Sequence, residues 1–136
     1  MANTRIEHDF LGDREITNDK YYGIQTLRAI ENFEITGIPI SHNPELIKAY
    51  AMVKKACAQT NEELNVLDPV ISKAIQEASD AVIKGELIDQ FPVDTIQGGA
   101  GTSTNMNVNE VIANKALELL GHQKGAYEII HPNNHV

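Results

Sequence analysis

The sequence predicts a mainly α domain: three main helices, a shorter N-terminal helix and a short β-hairpin near the N-terminus. Three observations predict it. Asn43-Pro44 and Asp68-Pro69 each place a capping side chain before a proline whose missing N–H costs a helix start nothing. Apolar residues follow both pairs at helical spacing. Apolar residues make up 42% of the 136-residue chain and aromatics only 5%, so one modest domain can form and its core must be aliphatic.

In chain order, Arg5 to Ile16, which mixes apolar residues with charges around Gly12-Asp13, reads as irregular chain able to hold a short hairpin. Lys20 to Phe33 reads as a short helix turning Ile24, Leu27, Ala29 and Ile30 inward, and Glu34 to His42, with Gly37 and Pro39, as a connector. From Pro44, the steps between Leu46, Tyr50, Val53, Cys57 and Leu64 predict one buried stripe, with Cys57 a core thiol. From Pro69, Ile71, Ala74, Ile75, Ala78 and Val82 form an inner face that Gly85 brings to a stop. A short turn between these helices predicts an antiparallel pair.

Glu86 to Ile96, broken by Pro92, reads as a loop leading to a glycine run. The helix after that run, Val108 through Leu120 and ending near Gly121, is apolar on nearly all sides. Such a helix expects partners all around it. So short a chain offers few, which predicts exposed apolar surface between Val111 and Leu120. Together with the polar, uncapped ending His131 to Val136, this suggests part of a larger protein.

Net charge is −8 without a basic cluster, which argues against a nucleic-acid partner. No stretch has membrane-spanning length and the N-terminus lacks a signal-peptide apolar region, so no membrane association is expected. A single cysteine cannot form an internal disulfide, and a reducing cytoplasm is the expected compartment.

The chemistry-bearing segment is Gln97-Gly98-Gly99-Ala100-Gly101-Thr102-Ser103-Thr104-Asn105-Met106-Asn107. Glycines let backbone approach a ligand closely, and the amides and positive dipole end of the following helix attract an anion. Thr102, Ser103 and Thr104 add hydroxyl donors, giving a seat for a small carboxylate or phosphate. Asn105, Asn107 and Asn109 join them as poor helix formers crowded into two turns, which suggests a task other than helix building. The plainer alternative is a flexible turn before a capped helix. The run has neither the lysine of a P-loop nor the spacing of a dinucleotide site. His131 and His135 invite a metal reading, but Pro132 interrupts any helix between them and an Asx-rich turn explains them better. His8, His42 and His122 read as surface residues. No metal and no cofactor are expected.

Several motifs then fall in a recognisable order: Tyr21-Tyr22-Gly23, Gln25 through Phe33, Gln90-Phe91-Pro92-Val93-Asp94, the glycine run through Asn109-Glu110-Val111, and His131-Pro132-Asn133. Together they resemble the N-terminal domain of the aspartate ammonia-lyase family, in the aspartase/fumarase superfamily, over nearly the whole chain. Class II fumarase is the nearest alternative within it. Ala100-Gly101-Thr102-Ser103-Thr104 and Tyr21-Tyr22 fit the ammonia-lyases better. The resemblance implies deamination of L-aspartate to fumarate and ammonia by a cytoplasmic homotetramer. It also implies that Thr102 contacts substrate, that Ser103 and Thr104 line the same pocket, and that Gly101, Asn105 and Asn107 support the loop. His131, Asn133 and Asn134 match a second anion site near the active-site entrance, although Asn134 stands where the common pattern has Asp. The family's serine base lies beyond Val136, in a site assembled from several subunits, so this piece, residues 1–136 of a larger lyase, is expected to be inactive alone. A non-enzymatic helical module docking through its last helix is the reading of a different class.

Overall fold

A computed structural model of the chain describes residues 3–136. Strands β1 (Thr4–Asp9) and β2 (Gly12–Thr17) pair antiparallel, with Ile6 opposite Glu15 and Asp9 opposite Gly12. The hairpin buries Ile16 and leaves Ile6, Phe10 and Leu11 exposed at its outer face and tip.

Helix α1 (Ile24–Asn32) begins four residues later than the Lys20 start expected from sequence. Two hydrogen bonds hold Tyr21 and Tyr22 outside the helix: Gln90 Oε1 accepts the Tyr21 N–H, and the Arg5 guanidinium donates to the Tyr22 carbonyl. The helix buries Ile24, Thr26 and Ala29.

Helices α2 (Pro44–Glu63) and α3 (Pro69–Ile83) start at the two expected caps. The Asn43 side chain accepts from Leu46 N–H, and that of Asp68 from Val70 and Ile71 N–H. The inner face of α3 buries Ala74, Ile75, Ala78 and Val82 as its spacing predicts, with Ile71 half-buried.

The α2 stripe is one residue out of register with expectation. Ile47, Ala51 and Ala58 are buried, whereas Leu46, Val53 and Leu64 are exposed and Tyr50 is half-buried. Cys57 is correspondingly an exposed thiol, not a core one. The cause is the choice of neighbour. Helix α2 packs chiefly on α3, whose contact face is rich in alanine, and two such faces approach most closely where both carry small side chains. Burying Leu46, Tyr50 and Val53 there would force the helices apart.

Helix α4 (Thr102–Leu119) runs through the middle, against α1 and α3. Val108, Val111, Ile112, Ala113, Ala116 and Leu117 are all completely buried. The expected exposed surface between Val111 and Leu120 is therefore absent apart from Leu119, and with it the docking face that an interaction module would have used. Irregular segments supply the missing neighbours. Phe91 and Val93, beside a short 3-10 turn (Ile88–Gln90), and Ile130 near the C-terminal end join the same core. Among the described residues, no helix is long and apolar enough to cross a membrane.

Candidate active site

The glycine run ends in a helix start with unusual capping. Gly101 is the N-cap of α4 at φ +84°, in the left-handed region that a side chain would disfavour. A glycine N-cap offers no oxygen to the first amides. Thr102, Ser103 and Thr104 are then the first three helical residues, and the first intrahelical bond runs from Asn105 N–H to the Gly101 carbonyl. Thr104 is provided for: its N–H donates to Gln97 Oε1 at 3.0 Å, and its hydroxyl accepts from Gln97 Nε2 at 2.7 Å. No hydrogen bond among the described residues engages the N–H or hydroxyl of Thr102 or Ser103. Four donors thus sit at the positive end of α4 without a partner, which is the chemistry of an anion seat.

Thr102 is exposed and opens on a cavity of about 540 Å³. Helix α4 supplies Thr102, Met106 and Glu110 to its wall, and the C-terminal turn supplies His131 and Asn133. The two segments singled out in the sequence, some thirty residues apart, therefore face one space. Asn134 does not line it. Ser103 lines a neighbouring groove with Arg28 and Phe33, and Thr104 turns inward at 8% exposure. Asn105 is half-buried. Asn107 is completely buried and donates to the Gln90 carbonyl at 2.9 Å, tying α4 to the loop before the glycine run.

The C-terminal turn is closed by its own histidines. His131 N–H donates to His135 Nδ1 at 2.8 Å, and Asn133 N–H donates to His131 Nδ1 at 3.0 Å. An Nδ1 that accepts leaves Nε2 as the protonated nitrogen of a neutral ring. Burial first, and the neighbouring His135 second, lower the His131 pKa and favour that neutral donor form.

One residue of the cavity wall, quoted above only as part of a motif, received no role from the sequence. Glu110, 1% exposed, receives Gly23 N–H at 2.8 Å, Gln25 N–H at 2.8 Å, and Thr26 N–H and hydroxyl at 3.0 and 2.6 Å. Glu7, also buried, accepts from Ile24 N–H at 2.8 Å and pairs with Arg5. Two carboxylates thereby cap the first turn of α1, with the Tyr127 hydroxyl donating to Glu7. Burial and the like charge of Glu7 push the Glu110 pKa up to about 7, against the pull of its Thr26 donors. An acid in the midst of the apolar α4 pattern was the available signal, because a buried charge implies a dedicated set of partners.

This geometry belongs to a chain with close relatives. Residues 12–136 match the family model described as Lyase. The chain is 57% identical to the aspartate ammonia-lyase of Pseudomonas aeruginosa, over 100% of its own length and 29% of that enzyme. It is 56% identical to that of Escherichia coli, over 98% of itself and 28% of the relative. Among solved structures it matches a fumarate lyase:delta crystallin from Brucella melitensis with a TM-score of 0.95 and 55% identity, over 97% of this chain and 31% of that one. The class II fumarase of Schistosoma mansoni matches with a TM-score of 0.85 but only 34% identity, over 97% and 28%. The chain spans under a third of the length of these relatives. By sequence and by fold alike, it belongs to the lyase family of the aspartase/fumarase superfamily.

Proposed function

We propose that this chain is the N-terminal, substrate-binding part of a lyase that deaminates L-aspartate to fumarate and ammonia. One observation carries the reading: the unpartnered donors of Thr102 at the start of α4 open on a cavity with room for a small dicarboxylate. Identity favours the ammonia-lyases over class II fumarase, 57% against 34%.

In this reading a base outside the chain takes the proton from the carbon beside the β-carboxylate. The electron pair moves into that carboxylate as an enediolate, then returns to form the double bond as ammonia leaves. Charge therefore grows on the β-carboxylate before any bond to nitrogen breaks. Fixed N–H and O–H donors aimed at such growing charge are usually the largest catalytic contribution. Thr102 takes this role, with Ser103 beside it and Gly101, Asn105 and Asn107 holding the turn. His131, as a neutral donor, and Asn133 form a second anion contact on the wall of the cavity, and Asn134, which does not line it, takes no part. The whole protein works as a cytoplasmic homotetramer, and this chain alone does not turn over substrate.

The test is the full-length enzyme, with fumarate formation from L-aspartate followed by its absorbance. Activity on malate without activity on aspartate would instead make it a fumarase. Thr102→Ala is expected to lower kcat/KM by about 10²–10³-fold, or about 2.7–4 kcal/mol, as for one lost oxyanion donor. Unchanged turnover would remove Thr102 from the reaction.

A further inference from the structure

We propose that Gln97 is a positioning residue for this site: its carboxamide supplies from upstream the cap that Gly101 cannot, and so presents Thr102 to the substrate. The inference rests on the reading above and names a residue for it. Both ends of the amide are engaged. Oε1 accepts the Thr104 N–H at 3.0 Å, while Nε2 donates to the Thr104 hydroxyl and to the Asp94 carbonyl, both at 2.7 Å. Rotating the amide by half a turn would set its NH2 against the Thr104 N–H, so the orientation is fixed by its partners.

The far anchor is stiff. Asp94, 6% exposed, accepts from the amides of Thr36, Gly37 and Ile96 at 2.7, 2.9 and 2.8 Å and from the Thr36 hydroxyl at 2.8 Å. Gln97 therefore ties an immobilised strap to the third residue of α4 and closes the intervening glycine loop.

The loop needs such a clamp. Gly98, Gly99 and Gly101 give it the largest conformational freedom of any segment in the chain, and ordering that freedom must be offset by contacts. The clamp also divides the labour of the three hydroxyl residues. Gln97 occupies the Thr104 N–H and the lone pair of its hydroxyl, and leaves the donors of Thr102 and Ser103 unoccupied. An ordinary Ser or Asp N-cap would have reached the second or third amide from the cap position itself, placing an oxygen beside the seat. Capping from Gln97 satisfies the third amide and keeps that space clear.

The experiment uses the full-length enzyme with Gln97→Met, which keeps length and volume but has no hydrogen bonds to give. Thr104→Val and the double variant accompany it, with kcat and KM for aspartate and the calorimetric Kd for fumarate measured on each. We expect Gln97→Met to lower kcat/KM by about 10- to 100-fold through a misplaced turn, and to weaken fumarate comparably, while assembly is retained. Thr104→Val, which removes only the hydroxyl acceptor and keeps the capped N–H, should show a smaller loss in the same direction, the double variant should be no worse than Gln97→Met alone, and Thr104→Ser should restore most of the Thr104→Val loss. Wild-type kinetics and fumarate affinity in Gln97→Met would overturn the proposal. So would additive losses, which would mean that Thr104 touches substrate independently. A fall in kcat matched by the fall in folded enzyme, with KM and Kd unmoved, would reduce Gln97 to a loop staple. If wild-type enzyme fails on aspartate, the functional reading fails, while the ratio of fumarate affinities still decides the role of Gln97.

Discussion

Gly23 sits where the backbone of one helix start meets two buried acids. A β-carbon at this position would collide with Tyr127 Oη and lie 2.5 Å from Glu7 Oε2 and 2.9 Å from Glu110 Cδ. None of the three is the loose end of an exposed side chain: Glu7 and Glu110 are buried, Tyr127 is half-buried, and all three are hydrogen-bonded. Gly23→Ala is therefore expected to lower stability by about 1–3 kcal/mol, from displaced carboxylates and not from backbone strain, since φ is −119°. Urea denaturation measures it, and a change below about 0.5 kcal/mol would mean that the cluster shifts without resistance. Gln97 teaches a related lesson about detection. It stands four residues before the N-cap, outside the spacing of familiar capping motifs, so only the folded loop brings its amide to Thr104.

At the scale of elements, helix starts were legible because a cap is a local event. Asn43-Pro44 and Asp68-Pro69 state their roles within two residues, and both helices begin there. Orientation about the helix axis was less legible, because it depends on the neighbour. On α2, two parallel stripes one residue apart both fit a helical period, and the alanine-lined one won because α3 comes close. That choice has a measurable consequence. Ala51→Leu should cost about 1–3 kcal/mol by overpacking the seam with α3, whereas Val53→Thr on the open side should stay within about 0.5 kcal/mol in this chain. Thermal melts showing the reverse order would restore the original stripe. Helix α4 was legible as buried, but not what buries it. Phe91, Val93 and Ile130 lie in irregular segments whose contacts no periodic pattern announces.

For the molecule as a whole, the buried acids couple folding to pH. Glu110 has a folded pKa near 7, above the ordinary value of 4.5 that it regains on unfolding. Between those values the folded state holds more protons, so this group's contribution to stability falls as pH rises through the window. Asp94 acts in the opposite sense. Burial would raise its pKa, but the amides of Ile96, Thr36 and Gly37 and the Thr36 hydroxyl hold it well below the usual carboxylate range. Its contribution is present above the unfolded pKa and is lost as pH falls through the folded one. Comparing wild type with Glu110→Gln isolates the first effect. The variant should be less stable overall, because a carboxamide NH2 now faces amide donors, and should lack the wild-type decline approaching pH 7. Parallel stability profiles would show that Glu110 stays ionised throughout. As for the site, Thr102 and the glycine run were visible as composition. The shared cavity with His131 was not, because it is made by α1, the hairpin and the C-terminal turn converging from distant parts of the chain.

The pair Glu7 and Glu110 also bears on selectivity. Every helix start is electrostatically a trap for small negative ions, and a protein with several such starts can scatter its ligand among them. Here the trap at α1 is self-quenched by acids from the hairpin and from α4 itself. An anion drawn to the cavity thus meets no competing helix start at α1, and the same helix that silences one end of its neighbour keeps its own end available.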